Sequence, residues 1–331
     1  MAYRMEKVIP GAAQEHALDI CQTTLGNRIG CSGIGLHTGQ QVRLSIFPAA
    51  AGTGIVFRRV DLCDDADPDS GAIRVPARYE NIASTQLGST LRNKAGVTVA
   101  TVEHLMSAFA GCGIDNALVD IDGPELPVLD GSAAPFVMLL ECAGVARLPV
   151  PRRFIRVLET VRAEEDGKSA SLSPYEGMAF GFEIDFECAA IGRQSYLYDA
   201  GTQAYKTEIA PARTFGFLHE VEHLQSVGLA RGGSLQNAVV LDGNGVLNTE
   251  GLRFQDEFVR HKILDAIGDL YLSGARIIGR FDACRAGHSL NYKLLLALFA
   301  NPGAWEYCDG FSLAASAAPV SAPPLRRAAR R

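Results

Sequence analysis

The chain has no C-x-x-C pair. Its eight cysteines (Cys21, Cys31, Cys63, Cys112, Cys142, Cys188, Cys284 and Cys308) are scattered, which suggests neither a thiolate zinc site nor a disulfide framework. Reduced thiols in a cytosol are expected. No apolar run reaches the length of a membrane span, and the first twenty residues carry charges and Pro10 where a signal peptide needs an apolar core. The reading is therefore a cytoplasmic protein without an integral membrane segment. Positive charge is the minority sign: 31 Lys and Arg against 37 Asp and Glu give a net charge of −6. That argues against nucleic acid as a partner, though phosphate on a small ligand stays open. Basic residues cluster only in the Ala/Pro/Arg-rich stretch 314–331, which reads as a disordered basic tail; residues 1–20 read as a loose extension. What remains has 47% apolar and 21% charged residues over a chain of 331, a composition that folds and has room for two domains.

Short alternating stretches (Val42 to Phe47, Gly54 to Arg59, Ile114 to Asp122) predict strands in the first half, with a helix from Ala134 to Ala143. Residues 61–75, dense in Asp, read as a small solvated insertion. The loop Ser32 to Gly39 holds a G-x-G but no helix follows, so it is not a dinucleotide fingerprint. Arg147 to Pro151 has the composition of a linker and sets the boundary between a domain at 21–146 and a second at 152–305. The second half repeats the plan, with strands at Phe154 to Val161, Met178 to Phe186 and Gln194 to Tyr198, an extra helix between Thr214 and Ala230, and a strand and helix from Ala275 to Phe299. Two β-rich halves, each followed by its own helices, predict an α+β protein of two similar domains.

Chemistry concentrates in Asp256 to Leu272. Phe258, Leu264, Ile267 and Tyr271 predict a helix, on which Glu257, His261, Asp265 and Asp269 follow one another at steps of four along one stripe. A histidine and a carboxylate one turn apart suit a borderline cation such as zinc. Lys262 adds a cation at the edge of the stripe. A solvated helix face explains the same spacing. Val97 to Gly111 reads as a strand turning into a helix behind a threonine cap, with glycine at its end and Glu103 and His104 in its first turn. Neighbours on a helix point about 100° apart, so one of these two side chains can ligate a metal while the other flanks it. Helix capping beside a surface imidazole is the plainer reading of the pair. Arg285 to Asn291 places His288 in a glycine loop ahead of the last helix.

A rival pattern lies at His219-Glu220-Val221-Glu222-His223, which satisfies H-E-x-x-H, the helical zinc signature of metallopeptidases. No G-x-x-H follows it, and a third ligand would have to be Glu250, in a loop. On the same helix Leu218, Val221 and Leu224 share an apolar face, opposite His219 and His223.

Taken in order, Gln22-Thr23-Thr24-Leu25, Ser32 to Gly39, Thr101-Val102-Glu103-His104-Leu105, Leu129 to Phe136, Arg213-Thr214-Phe215-Gly216-Phe217, the helix at 256–272 and Gly287-His288-Ser289-Leu290-Asn291 closely resemble the zinc-dependent UDP-3-O-acyl-N-acetylglucosamine deacetylases of lipid A biosynthesis. The resemblance implies two βα layers stacked so that the helices are sandwiched between two sheets, with a βαβ-type insertion near 213–233 and a metal at the domain junction. It implies His104, His261 and Asp265 as ligands of zinc, or of iron in the cell, with Glu103 as general base. Three protein ligands leave the fourth position that a catalytic zinc needs. It further implies that Thr214 donates to the carbonyl oxygen, that His288 protonates the departing amine, and that Asp269 keeps His288 charged. Lys262 would meet phosphate or other polar groups of the substrate and Phe215 its sugar or uracil. Leu218 and Val221 would line a passage for the acyl chain. A small helix packed on the core predicts the same apolar face. The substrate expected is the acylated UDP-N-acetylglucosamine, and a monomer is expected. A non-catalytic nucleotide-sugar binder would lack one of Glu103, His104, His261, Asp265 or His288, and all five are present. Asp115-Asn116 and His37 also match motifs, for which structural roles in turns are the expectation.

Overall fold

The computed structural model describes residues 20–63, 71–243 and 245–310. The basic tail, nearly all of the N-terminal extension and residues 64–70 of the first insertion lie outside the described residues.

The first half runs β1 (Cys21–Leu25), β2 (Ile29–Ile34), β3 (Gln41–Pro48), β4 (Ile55–Arg59), β5 (Arg74–Pro76), β6 (Ile82–Ser84), β7 (Thr90–Arg92), β8 (Thr98–Val99), α1 (Glu103–Cys112), β9 (Ala117–Ile121) and α2 (Ala134–Ala143). Its main sheet has the order β2-β3-β9-β4-β5, with β4 and β9 parallel. Val42, Leu44 and Ile46 of β3 are buried while Gln41 and Arg43 are exposed, so the two-residue period turns one face inward. The predicted loop at Ser32 to Gly39 begins inside β2 and becomes a turn only after Ile34.

The second half runs β10 (Val145–Pro151), β11 (Arg153–Val157), β12 (Val161–Glu165), β13 (Lys168–Ser173), β14 (Met178–Asp185), β15 (Arg193–Asp199), α3 (Tyr205–Glu208), β16 (Phe215–Phe217), α4 (Leu218–Ser226), β17 (Val239–Asp242), β18 (Gly245–Val246), α5 (Glu257–Tyr271), β19 (Arg276–Cys284), α6 (His288–Ala300) and β20 (Trp305–Asp309). The nine-residue β19 is the spine of a seven-stranded sheet. It pairs with β11 through its first part, with β13 through its last part, and with β14 over residues 279–284. β16 and β17 are parallel with α4 in the crossover, and β18 pairs with β17.

The residues with linker composition are a strand. β10 pairs antiparallel with β1, Leu25 opposite Val145 and Cys21 opposite Pro151. Pro149 and Pro151 hide the pattern, but a two-stranded ribbon has a free edge where a missing N–H costs no ladder bond.

Between the two main sheets lie the helices, the sandwich expected of this α+β fold. α1 packs along α5, α2 packs on α1 and β2, α5 rests on β14 and β15, and α6 covers β12 and β13. Of the fifteen residues of α5 only Arg260 and Lys262 escape burial, so its ionisable stripe is not a solvated face. The crossing with α1 depends on Gly268, where a Cβ would lie 2.0 Å from the Glu103 carbonyl oxygen. Glycine in a helix interior costs roughly 1 kcal/mol against alanine, and here it lets the two backbones touch.

Two details at α1 differ from the sequence reading. Thr101 is not the cap: it sits at φ +57 and its hydroxyl donates to Glu125 Oε1 at 3.0 Å, while Val102 precedes the helix without a side-chain cap. The terminating glycine is Gly113, at φ +75, whose N–H closes on Ala110 and Phe109. Gly111 lies inside the helix, and the Tyr205 ring fills the place its Cβ would take. Asp115 and Asn116 are structural, as expected. Asp115 accepts from the Thr23 amide at 2.7 Å and from Arg152, and Asn116 bonds Gln22 and the Gly54 amide.

Candidate metal centre and active site

Helix α1 brings Glu103 and His104 in at its first turn, and α5 brings His261, Lys262, Asp265 and Asp269 from the facing side. A step of four residues overshoots a helical turn by about 40°, so the stripe on α5 rotates as it climbs. Glu257, at its foot, turns away to a separate task. It is fully buried and accepts from the Arg213 guanidinium at 2.8 Å and from the Arg213 and Arg253 backbone amides. That ion pair seats the start of β16 against α5.

His104, His261 and Asp265 converge. Their donor atoms lie within 4.8 Å of one another, the only such group of three among the described residues. Asp265 Oδ1 is 3.3 Å from His261 Nε2 and 3.6 Å from His104 Nε2, and the two rings meet edge to face with centroids 5.1 Å apart. All three residues are under 5% exposed. The Ala212 carbonyl accepts from His261 Nδ1 at 3.1 Å, which fixes the tautomer and turns the Nε2 lone pair toward the shared point. Burial holds the His261 pKa down to about 3 against the pull of Asp265, so the ring is neutral, as a ligand must be. Burial alone would raise the Asp265 carboxyl, but His261, Lys262 and His104 hold it well below the usual range. Asp265 Oδ1 is buried without a hydrogen-bond partner. A buried carboxylate oxygen left bare costs free energy, and a cation between it and the two imidazoles removes that cost. The residues fit a metal ion.

Around this group stand two further carboxylates and an imidazole. His288, the first residue of α6, points Nδ1 at Asp269 Oδ2, 2.8 Å away, and Nε2 toward Glu103 Oε1 at 4.0 Å and Asp265 Oδ2 at 3.9 Å. Burial alone would depress its pKa, but Asp269, Glu103 and Asp265 outweigh burial and raise it to about 10. Burial raises the Glu103 carboxyl above its ordinary value, with His288 and His104 opposing. Lys262 Nζ donates to Asp265 Oδ2 at 3.0 Å and lies 5.5 Å from the centre of the Phe215 ring. Phe215 is itself edge-on to His261, with centroids 6.3 Å apart.

The structure thus brings together Glu103, His104, His261, Lys262, Asp265, Asp269, His288 and Phe215. Thr214 precedes Phe215, its amide held by the Gly131 carbonyl at 2.8 Å. Leu218 and Val221 lie farther along, half-buried on α4. On the same helix His219 and His223 are exposed, and the Glu250 carboxylate is taken by Arg213 at 2.9 Å. The H-E-x-x-H pattern therefore assembles no third ligand. His37 sits in a turn whose amide donates to Glu125 Oε1 at 2.9 Å.

Sequence reasoning missed Ser89 and Asn291. Asn291 donates to Asp269 Oδ2 at 2.9 Å from one turn past His288, a spacing of three that does signal it. Ser89 donates its amide to Glu103 Oε2 at 3.0 Å and its hydroxyl to Asp269 Oδ1 at 2.6 Å. It sits in an irregular stretch between β6 and β7, where no periodicity marks it.

Residues 22–300 match the family of UDP-3-O-acyl N-acetylglycosamine deacetylases. The chain is 52% identical over 289 residues to the UDP-3-O-acyl-N-acetylglucosamine deacetylase of Nitrosococcus oceani, across 87% of this chain and 92% of that protein. It is 49% identical over 292 residues to the enzyme of the same name from Chromobacterium violaceum, across 88% and 94%. With that of Pasteurella multocida the identity is 48% over 290 residues, across 87% and 93%.

Proposed function

Since the chain belongs to the UDP-3-O-acyl-N-acetylglucosamine deacetylase family, we propose that it hydrolyses the N-acetyl group of UDP-3-O-acyl-N-acetylglucosamine, releasing acetate and the free amine in lipid A biosynthesis. The observation that carries the reading at this site is the bare Asp265 Oδ1, buried between two imidazole nitrogens. Two imidazoles and one carboxylate are a donor set that suits zinc, with iron as the alternative. His104, His261 and Asp265 would hold the ion, which supplies Lewis acidity to the attacking water and the amide carbonyl.

The remaining steps fall to the chain's own groups. Glu103 takes the proton of the attacking water; its raised pKa brings its basicity closer to neutral pH. As the carbon–oxygen bond forms and the carbon–nitrogen bond breaks, the leaving nitrogen needs a proton. His288 provides it from Nε2, which is 4.0 Å from Glu103 Oε1, while Asp269 keeps the ring charged and oriented through Nδ1. Thr214, next to Phe215, donates to the oxygen on which negative charge develops. Lys262 and Phe215 face each other across 5.5 Å and take the phosphates and the sugar or uracil. Leu218 and Val221, on the half-buried face of α4, take the acyl chain.

Residues 21–146 and 152–305 are read as the two domains; the five-stranded sheet lies in the first, and the seven-stranded sheet lies in the second except for β20, which runs on to Asp309. Among the described residues no helix is long and apolar enough to cross a membrane; a cytoplasmic location is proposed. A monomer is the proposed state. The test is acetate release from the acylated nucleotide sugar before and after chelation. Release that persists after complete removal of metal overturns the proposal.

A further inference from the structure

Ser89 is 1% exposed and touches both halves of the proposed acid–base apparatus. Its amide donates to Glu103 Oε2 at 3.0 Å, and its hydroxyl lies 2.6 Å from Asp269 Oδ1, 180 residues further along the chain. An ionised carboxylate only accepts, so the serine hydroxyl donates its single proton there. With His288 Nδ1 and Asn291 Nδ2 on Oδ2, this gives Asp269 three donors. Ser89 is anchored in turn. Its carbonyl accepts from the Val102 amide at 3.2 Å, at the start of α1. The preceding Gly88 leaves room for the base, since a Cβ there would come within 2.8 Å of Glu103 Oε1. Leu87 adopts φ +61, a left-handed conformation unfavourable for leucine, and its carbonyl faces His37 Nε2 at 3.3 Å. The buried Glu125 carboxylate holds the His37 and Thr38 amides and the Thr101 hydroxyl. Residues 87–89 are thus pinned at both ends.

We propose that Ser89 is a positioning residue of the reaction: one short side chain and its own amide set the separation between the Glu103 carboxylate and the Asp269–His288 pair. The roles of those groups rest on the proposed function; the clamp itself rests on the hydrogen bonds alone. Ser89 gives each carboxylate a neutral donor, so no second fixed cation beside His288 quenches the basicity of Glu103 or competes with His288 for Asp269.

The experiment compares the purified full-length wild type with Ser89→Ala and Ser89→Thr. It measures kcat, KM, bound metal, Tm and, in the metal-free proteins, the downfield proton resonance of the His288–Asp269 hydrogen bond, assigned by its loss in His288→Ala. In Ser89→Ala, kcat should fall about 10- to 100-fold with KM, metal content and Tm nearly unchanged, and the resonance should move. Ser89→Thr, which keeps a hydroxyl, should return both toward wild type. An unmoved resonance, an unchanged kcat, or a loss of kcat that only tracks a fall in Tm overturns the proposal. If the wild type releases no acetate while the resonance still responds to Ser89, the deacetylase reading fails and the clamp stands.

Discussion

Two helices of this protein carry histidine and carboxylate at metal-ligand spacing, and only one of them builds a site. In α4, His219 and His223 with Glu220 between them satisfy a well-known zinc pattern, yet both imidazoles project into solvent. In α5, His261 and Asp265 match a looser pattern, yet they are buried, tautomer-fixed and met by His104 from another helix. The difference is a matter of desolvation and convergence. An exposed imidazole is already solvated and gains little from a cation, whereas a buried carboxylate oxygen with no donor leaves a cost that a cation removes. Local spacing makes a site eligible; a second element closing over it decides.

The sharpest way to break this contrast is mutation on α5. His261→Ala or Asp265→Ala should lose metal and activity together, because two ligands do not hold a catalytic ion tightly. Metal analysis alongside acetate release checks it. Next in size, Glu103→Ala should keep the metal and lose about 10² or more in rate. An emptied site in that variant would make Glu103 a ligand rather than a base.

A smaller effect separates the two carboxylates that flank His288. Activity should rise with pH as Glu103, whose pKa burial has raised, loses its proton, and fall as His288 loses the proton that its neighbours hold up to about 10. A divalent ion at the triad lowers both values, so the basic limb should lie at or below that figure. Asp269→Asn removes the foremost contribution that raises His288 and should move the basic limb to lower pH. A kcat/KM profile whose basic limb stays in place would assign that limb to another group. On α4 the apolar face is the feature to probe. Leu218→Glu should raise KM for the acylated substrate about tenfold, by the loss of about two buried methylene equivalents. The half-buried position should leave Tm within a few degrees. A fall in Tm without a change in KM would return Leu218 to the role of core packing.

Much of this was legible in the chain. The α5 helix, the α2 helix, strands β3 and β4 and the α+β class follow from periodicity, and the triad was within reach because His261 and Asp265 share a helical face while His104 stands in the first turn of another. Motif resemblance joined the two helices; spacing alone left a solvated face as the plainer reading. What escaped has physical reasons. β10 is masked by two prolines tolerated on a ribbon's free edge. Thr101 looks like a cap because hydroxyl residues favour that place, but its hydroxyl donates to the buried Glu125 carboxylate and its φ of +57 is not the extended backbone of a cap, so its oxygen accepts nothing from the helix amides. Ser89 carries no local signal: its partners lie 14 and 180 residues away, and only the folded chain brings them together.

The account turns on which helix carries the metal. The direct measurement is metal content and acetyl loss from the acylated UDP-N-acetylglucosamine, by mass spectrometry, in the double variant His219→Ala with His223→Ala beside His261→Ala. The double variant should keep its metal and deacetylate at nearly the wild-type rate, while His261→Ala should lose both. Loss of metal and activity in the double variant, with both retained in His261→Ala, would contradict the assignment of the buried triad as the catalytic centre.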